Sequence, residues 1–304
     1  MRISVIIPTV NFAPGLVRMM ADLRRQTAEL AEIIVIDSSS DDGTAELARG
    51  LGARVLVVPR KDFDHGGTRA LAAREAGGEI LVYLTQDAVL AGTQAIARLA
   101  APFAGGDKIG CAFGRQLPHP GADIFGRALR YFNYPAAPHV RRLRDRARYG
   151  IKTAFISDSF SAYSREALRE AGWFKDGLIM GEDTCAGARL LIAGYGIAYV
   201  AGAEVFHSHN YTAWQEFKRY FDIGVLHRDE HWLLETFGGA EGEGVKFMLA
   251  GLRFLGANGA ALRAPEFILR TGLKYLGYKA GFFHGALPRA AVKRLSMNGS
   301  WWDR

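Results

Sequence analysis

The stretch Ile33-Ile34-Val35-Ile36-Asp37-Ser38-Ser39-Ser40-Asp41-Asp42-Gly43-Thr44 runs four β-branched apolar residues straight into acids, serines and a glycine. The apolar part shows no polar alternation, which is the pattern of a strand buried on both faces of a parallel sheet. Asp37 therefore emerges at a strand end, where a carboxylate can accept hydrogen bonds from a base N–H or a ribose hydroxyl. The serines and Gly43 make a tight turn, and Asp41 or Asp42 can cap the helix that follows. Capping accounts for one aspartate but not for the whole run.

Similar apolar runs occur at Ile3–Ile7, Val55–Val58 and Ile80–Leu84, separated by helical patterns at Leu16–Arg25, Thr44–Leu51 and Thr68–Ala76. This βαβα rhythm predicts a doubly wound, mostly parallel α/β sheet flanked by helices. Ligands of such sheets sit outside the carboxyl ends of the strands. Beyond residue 105 the rhythm loosens. Ile109–Phe113 reads as a further strand, and Pro118–Lys152 as a helix followed by a mobile, arginine-rich loop that closes over a diphosphate or stays solvated. Helices are expected at Arg165–Ala171 and Glu182–Ala193, a strand at Ile197–Val200 and a long amphipathic helix at Trp214–Leu234. The division expected is a catalytic domain over 1–210 and a helical C-terminal region over 211–304.

Polar residues after the other strands extend the candidate site. In Asp64-His65-Gly66-Gly67-Thr68-Arg69 the glycines precede a helix, where backbone can approach a phosphate. Arg69 either bonds a diphosphate, holds a neighbouring aspartate or is simply solvated. Asp87, in Thr85-Gln86-Asp87, is placed to hold Mg²⁺ or Mn²⁺ against phosphate oxygens. Glu182 and Asp183 open an apolar helix; they are either dipole-favoured first-turn acids or include a general base for an attacking hydroxyl. His207-Ser208-His209 either turns an imidazole toward a metal or is structural.

Together, Val5-Ile6-Ile7-Pro8-Thr9, the Ile36–Thr44 run, Gln86-Asp87, Gly181-Glu182-Asp183 and His207-Ser208-His209 resemble the family 2 glycosyltransferases, which have a GT-A fold. Within that family, Asp64–Arg69, Phe217–Gly224 and Leu295–Trp302 resemble bacterial rhamnosyltransferases of polysaccharide and O-antigen assembly. The resemblance implies a nucleoside diphosphate sugar donor, a saccharide or polyprenyl-linked saccharide acceptor, and inversion at the anomeric carbon. It implies that Asp37 contacts the base, that Pro8 and Thr9 shape the nucleotide floor, and that Gln86 lies beside them. Asp87 and His207 would hold the metal, Asp183 would be the base, and Glu182 would support acceptor or sugar. The usual Asp-x-Asp stands here as Thr85-Gln86-Asp87, without its first carboxylate.

Composition bounds the rest. Hydrophobic residues are 49% and charged residues 23%, an ordinary globular balance. Cys111 and Cys185 lie far apart without CxxC spacing, which fits a reducing cytosol. The first apolar run is too short for a signal peptide, and no stretch reaches the length of a membrane span. The net charge of +7 is concentrated in Arg141–Lys152 and the C-terminal third, favouring an anionic partner. Arg253, Arg270, Lys274 and Lys279 interleave with apolar and aromatic residues, so an anionic membrane surface is expected there, or else packing on the catalytic domain or a second subunit. No nucleic-acid docking motif accompanies the charge, so nucleic acid is excluded as partner. A nucleotidyltransferase would need a glycine-rich, basic signature near the N-terminus, which Pro8-Thr9-Val10-Asn11 does not supply. The expected location is cytoplasmic, peripheral on the inner face of the plasma membrane.

Overall fold

A computed structural model describes residues 1–239 and 242–304. Its strands are β1 (Ile3–Thr9), β2 (Leu30–Asp37), β3 (Arg54–Val57), β4 (Ile80–Leu84), β5 (Val89–Leu90), β6 (Ile109–Leu117), β7 (His139–Arg141), β8 (Phe160–Ser164) and β9 (Gly196–Phe206). The helices of the first half are α1 (Ala13–Arg24), α2 (Thr44–Gly50), α3 (His65–Glu75), α4 (Ala95–Ala100), α5 (Ile124–Asn133) and α6 (Arg146–Tyr149). Those of the second are α7 (Arg165–Glu170), α8 (Glu182–Ile192), α9 (Ala213–Asp229), α10 (Trp232–Phe237), α11 (Glu243–Ala257), α12 (Ala264–Phe282) and α13 (Arg289–Leu295).

The strands form one sheet in the order β3-β2-β1-β4-β8-β6-β9-β5, with β7 added on β9. The first four are parallel, as the apolar runs predict. Along β1 the side chains of Ile3, Val5 and Ile7 enter one core while Ile6 enters the other. Successive side chains point to opposite faces, so an unbroken apolar run is what a two-sided strand requires. Beyond β4 the sheet is mixed: β8 is antiparallel to β4 and β6, whereas β6 and β9 are parallel.

Three expectations are corrected in the second half. Residues 118–152 are not a mobile loop after their helix. Arg141 lies in β7, buried, and donates to the Lys152 and Phe155 carbonyls, while Arg142 pairs with Asp107 and Lys152 with Glu243. Most of that basic run is spent on internal acceptors. The helix expected over 214–234 breaks at Glu230, whose carboxylate takes Lys175 and the Trp232 indole N–H. Of the four basic residues interleaved in the C-terminal third, Arg270 and Lys274 turn inward onto buried Glu216. There α12 packs along α9 so closely that a Cβ on Gly281 would overlap the Phe221 carbonyl. A small satellite core of Phe125, Phe247, Leu255 and Phe267 joins α5, α11 and α12. No helix among the described residues is long and apolar enough to cross a membrane.

Candidate active site

The loops after β1, β2 and β4 form a continuous polar ledge. Asp37 is buried and accepts from Thr9 Oγ1 (3.0 Å), Ser40 N (2.8 Å) and Ser40 Oγ (2.5 Å). These bonds fix the serine turn against Thr9, and parallel pairing sets Pro8 beside Ile36. Gln86 reaches across from the end of β4, accepting from Val10 N (2.8 Å) and donating to Val10 O (3.2 Å). Its neighbour Asp87 is thereby tied to the ledge.

Asp87 faces the end of β9. Its Oδ2 lies 3.2 Å from His207 Nε2 and 3.6 Å from His209 Nε2, and its Oδ1 accepts from Thr85 Oγ1 at 2.7 Å. One ligand atom from each of Asp87, His207 and His209 falls within 4.8 Å of the others. Burial works against the Asp87 carboxylate, but the bond and charge of His207 and the bond from Thr85 outweigh it, holding its pKa below the usual range. Burial, together with the charge of His207, lowers His209 to about 4, leaving a neutral imidazole with a lone pair to offer.

The tautomer of His207 is set from behind. Its Nδ1 lies 2.9 Å from Gln116 Oε1, and the Arg130 guanidinium donates to that same oxygen, while Gln116 Nε2 donates to Ser157 Oγ at 2.7 Å. The amide orientation is thus pinned and Nδ1 must donate, so Nε2 donates to Asp87 when the ring carries both protons and offers its lone pair to a cation when it does not. One carboxylate and two imidazoles make a mixed oxygen–nitrogen donor set that a divalent metal ion can accept.

The turn at Ser157 leads to the second half of the site. Asp158 N donates to Asp183 Oδ2 at 3.4 Å, and Thr184 N donates to Asp183 Oδ1 at 2.7 Å. Asp158 is buried, accepting from Ser161 Oγ (2.7 Å) and Tyr163 OH (2.6 Å). Arg69 lies among these acids, 3.0 Å from Glu182 and 3.5 Å from Asp158. Burial, then repulsion from Glu182 and Asp158, pushes half-buried Asp183 up to about 8. A carboxylate raised that far is a stronger base than a free one, and it is ionised to accept a proton as pH approaches and passes 8.

Four residues expected at the nucleotide make contacts within the protein. Arg69 is buried, so among its three readings the one that holds neighbouring acids describes it. Asp64 caps α3 through Gly67 N (2.8 Å) and also takes Gly177 N (3.1 Å) and Arg304 (2.7 Å). A Cβ on Gly66 would overlap the Lys175 carbonyl, and Gly67 sits between Asp64 and Asp176. Gly66 thus admits the Lys175 backbone.

Against known proteins, the profile described as Glycosyl transferase family 2 matches residues 4–172. The chain belongs to this family. Among family 2 relatives, O-antigen chain rhamnosyltransferase RfbN of Salmonella typhimurium is 41% identical over 305 residues, spanning 100% of this chain and 96% of its own. O-antigen chain rhamnosyltransferase WbaN of Salmonella anatum is 40% identical over 306 residues, spanning 99% and 95%. In fold, the chain matches a mannosyltransferase from Pyrobaculum calidifontis in complex with GDP-Man and Mn²⁺, with a TM-score of 0.63 at 18% identity, over 93% of this chain and 87% of that one. Staphylococcus aureus TarS matches with a TM-score of 0.58 at 17% identity, over 98% and 84%. The protein is a glycosyltransferase of GT-A fold.

For this family 2 chain, the expected Asp87 and His207 do converge, as do Glu182 and Asp183. Gln116, Asp158 and His209 complete the two halves and were not singled out from the sequence. His209 stands in the motif already quoted; Asp158, between two serines just before a strand, carried the same strand-end signal as Asp37, though at the start rather than the finish of its strand.

Proposed function

We propose that the protein transfers L-rhamnose from dTDP-β-L-rhamnose to a saccharide acceptor, with inversion, in cell-surface polysaccharide assembly. Full-length similarity to two O-antigen chain rhamnosyltransferases supports the sugar. The observation that carries the chemistry is the unbroken polar chain from Asp87 through His207, Gln116 and Ser157 to the turn holding Asp183. It holds a cation-binding end and a tuned carboxylate in fixed relation.

In this reading residues 1–210 carry the reaction, and Pro8, Thr9, Asp37 and Gln86 form the nucleotide floor. Asp183 Oδ2 takes the proton of an acceptor hydroxyl as that oxygen bonds to the anomeric carbon and the bond to the diphosphate oxygen breaks. Glu182, paired with Arg69, stands beside it and supports the acceptor or the sugar. Asp87, His207 and His209 would hold a divalent cation, Mg²⁺ or Mn²⁺, which supplies positive charge for the departing diphosphate. An assay of nucleoside diphosphate release with a panel of nucleotide sugars tests the donor. Turnover with dTDP-L-rhamnose above all others is expected; preference for a UDP- or GDP-sugar would replace the donor assignment.

A lipid-linked acceptor at an anionic bilayer is the partner that the C-terminal surface favours. Leu262, Ile268, Leu269, Tyr275, Leu276 and Phe283 are exposed on or beside α12, most of them repeating at helical spacing. Arg253 of α11 and Lys279 of α12 are exposed on the same pair of helices, whereas Glu243 and Glu266 are already paired with cations, Lys246 among them. A second copy would set these positive charges against each other; anionic headgroups complement them.

A further inference from the structure

The segment 177–181 leads into α8, which begins with Glu182 and Asp183, and it makes no sheet pairing of its own. Its outward backbone groups are met by the end of the chain. Trp301 Nε1 donates to the Gly177 carbonyl at 3.1 Å, and Asn298 Nδ2 donates to the Ile179 carbonyl at 3.0 Å. Arg304 bonds Asp64 Oδ2 at 2.7 Å, the same oxygen that accepts from Gly177 N at 3.1 Å. The tail is itself anchored from below. Asp222 of α9, fully buried, accepts from Met297 N (3.1 Å) and Asn298 N (3.0 Å) with one carboxylate oxygen.

We infer that residues 296–304 act as a positioning strap, with Asp222 as its anchor and Asn298 as its clasp, that fixes the turn presenting Asp183. This rests on the reading of Asp183 as base. The strap accounts for the motifs Phe217–Gly224 and Leu295–Trp302, which neither the nucleotide floor nor the metal end uses. Cutting the clasp leaves the Ile179 carbonyl without its donor and frees a short segment whose far end is the α8 N-terminus. Positioning matters steeply here, since a displacement of about 1 Å at a reacting group costs on the order of 100-fold in rate. Asn298 touches none of the nucleotide-floor or metal-end residues, so the strap acts on kcat and leaves donor affinity alone.

The test is Asn298→Ala, with Trp301→Phe as a milder variant that keeps the ring but removes the indole donor. Hydrogen–deuterium exchange over residues 177–184 is measured beside steady-state transfer and dTDP binding. The expected result is faster exchange in that segment, kcat lowered roughly 10- to 100-fold, and donor KM and dTDP Kd within about 2-fold of the parent. Unchanged exchange over 177–184 would overturn the strap, whether or not the enzyme turns over with any donor. Faster exchange with unchanged kcat would overturn its positioning role. The base reading fails separately, through Asp183→Asn with its turnover intact.

Discussion

As counter-ion to buried acids, Arg69 should have a loss quite unlike that of a diphosphate ligand. Replacing it with Met keeps much of the volume but leaves Glu182 and Asp158 buried without their countercharge. Removing one partner of a buried ion pair costs about 3–5 kcal/mol. At roughly 2–4 °C per kcal/mol for a chain near this size, Tm should fall by roughly 6–20 °C near pH 8. The loss should also depend on pH. Burial, with repulsion from Glu182, already raises Asp158 against the pull of Arg69, and losing Arg69 raises it further. A carboxylate whose folded pKa lies above its unfolded value near 4 withdraws stability as pH rises through that window. The Tm deficit of Arg69→Met should therefore be smaller at pH 5 than at pH 8. Thermal unfolding followed by circular dichroism at both pH values, with dTDP affinity by calorimetry on the folded variant, is the assay. A Tm within about 2 °C of the parent together with dTDP binding weakened 10-fold or more would refute the counter-ion account and restore Arg69 to the diphosphate.

Gln116→Leu, which removes the acceptor that orients His207, should weaken Mn²⁺ activation by about 10- to 100-fold, read as the metal concentration giving half-maximal turnover. Transfer should rise with pH through about 8 as Asp183 ionises. Glu182→Gln, by removing a neighbouring negative charge, should move that limb to lower pH in a pH–kcat profile. Flotation with anionic vesicles should retain the protein at low salt, and the Leu262→Asp, Leu269→Asp double variant should release it. Equal flotation of both proteins, or none by the parent, would remove the bilayer from the account.

β1, β2 and β4 were legible because burial on both faces demands unbroken apolar runs, and Ile3–Ile7, Ile33–Ile36 and Ile80–Leu84 supply them, whereas β3 is an edge strand with Val57 exposed. The second half of the sheet was less so. β8 reads Phe160-Ser161-Ala162-Tyr163-Ser164, with Ser161 donating to Asp158 and Ser164 capping α7, and β7 is three residues long. Asp87 and His207 were found because strand ends are where this architecture collects ligands. That His209 joins them depends on the end of β9 lying against the loop after β4, which no local pattern records. Basic residues misled most, since the partners of Arg141 are backbone carbonyls and a sequence carries no trace of which carbonyls are left over. At Gly66 a close approach was legible, but not that the Lys175 carbonyl makes it.

The most direct test of the central claim is Asp183→Asn, assayed for sugar transfer and for binding of the intact donor with Mn²⁺. The account expects kcat to fall by about 10²- to 10⁴-fold, the worth of a general base, with donor Kd unchanged. Turnover retained within a few-fold of the parent would contradict it.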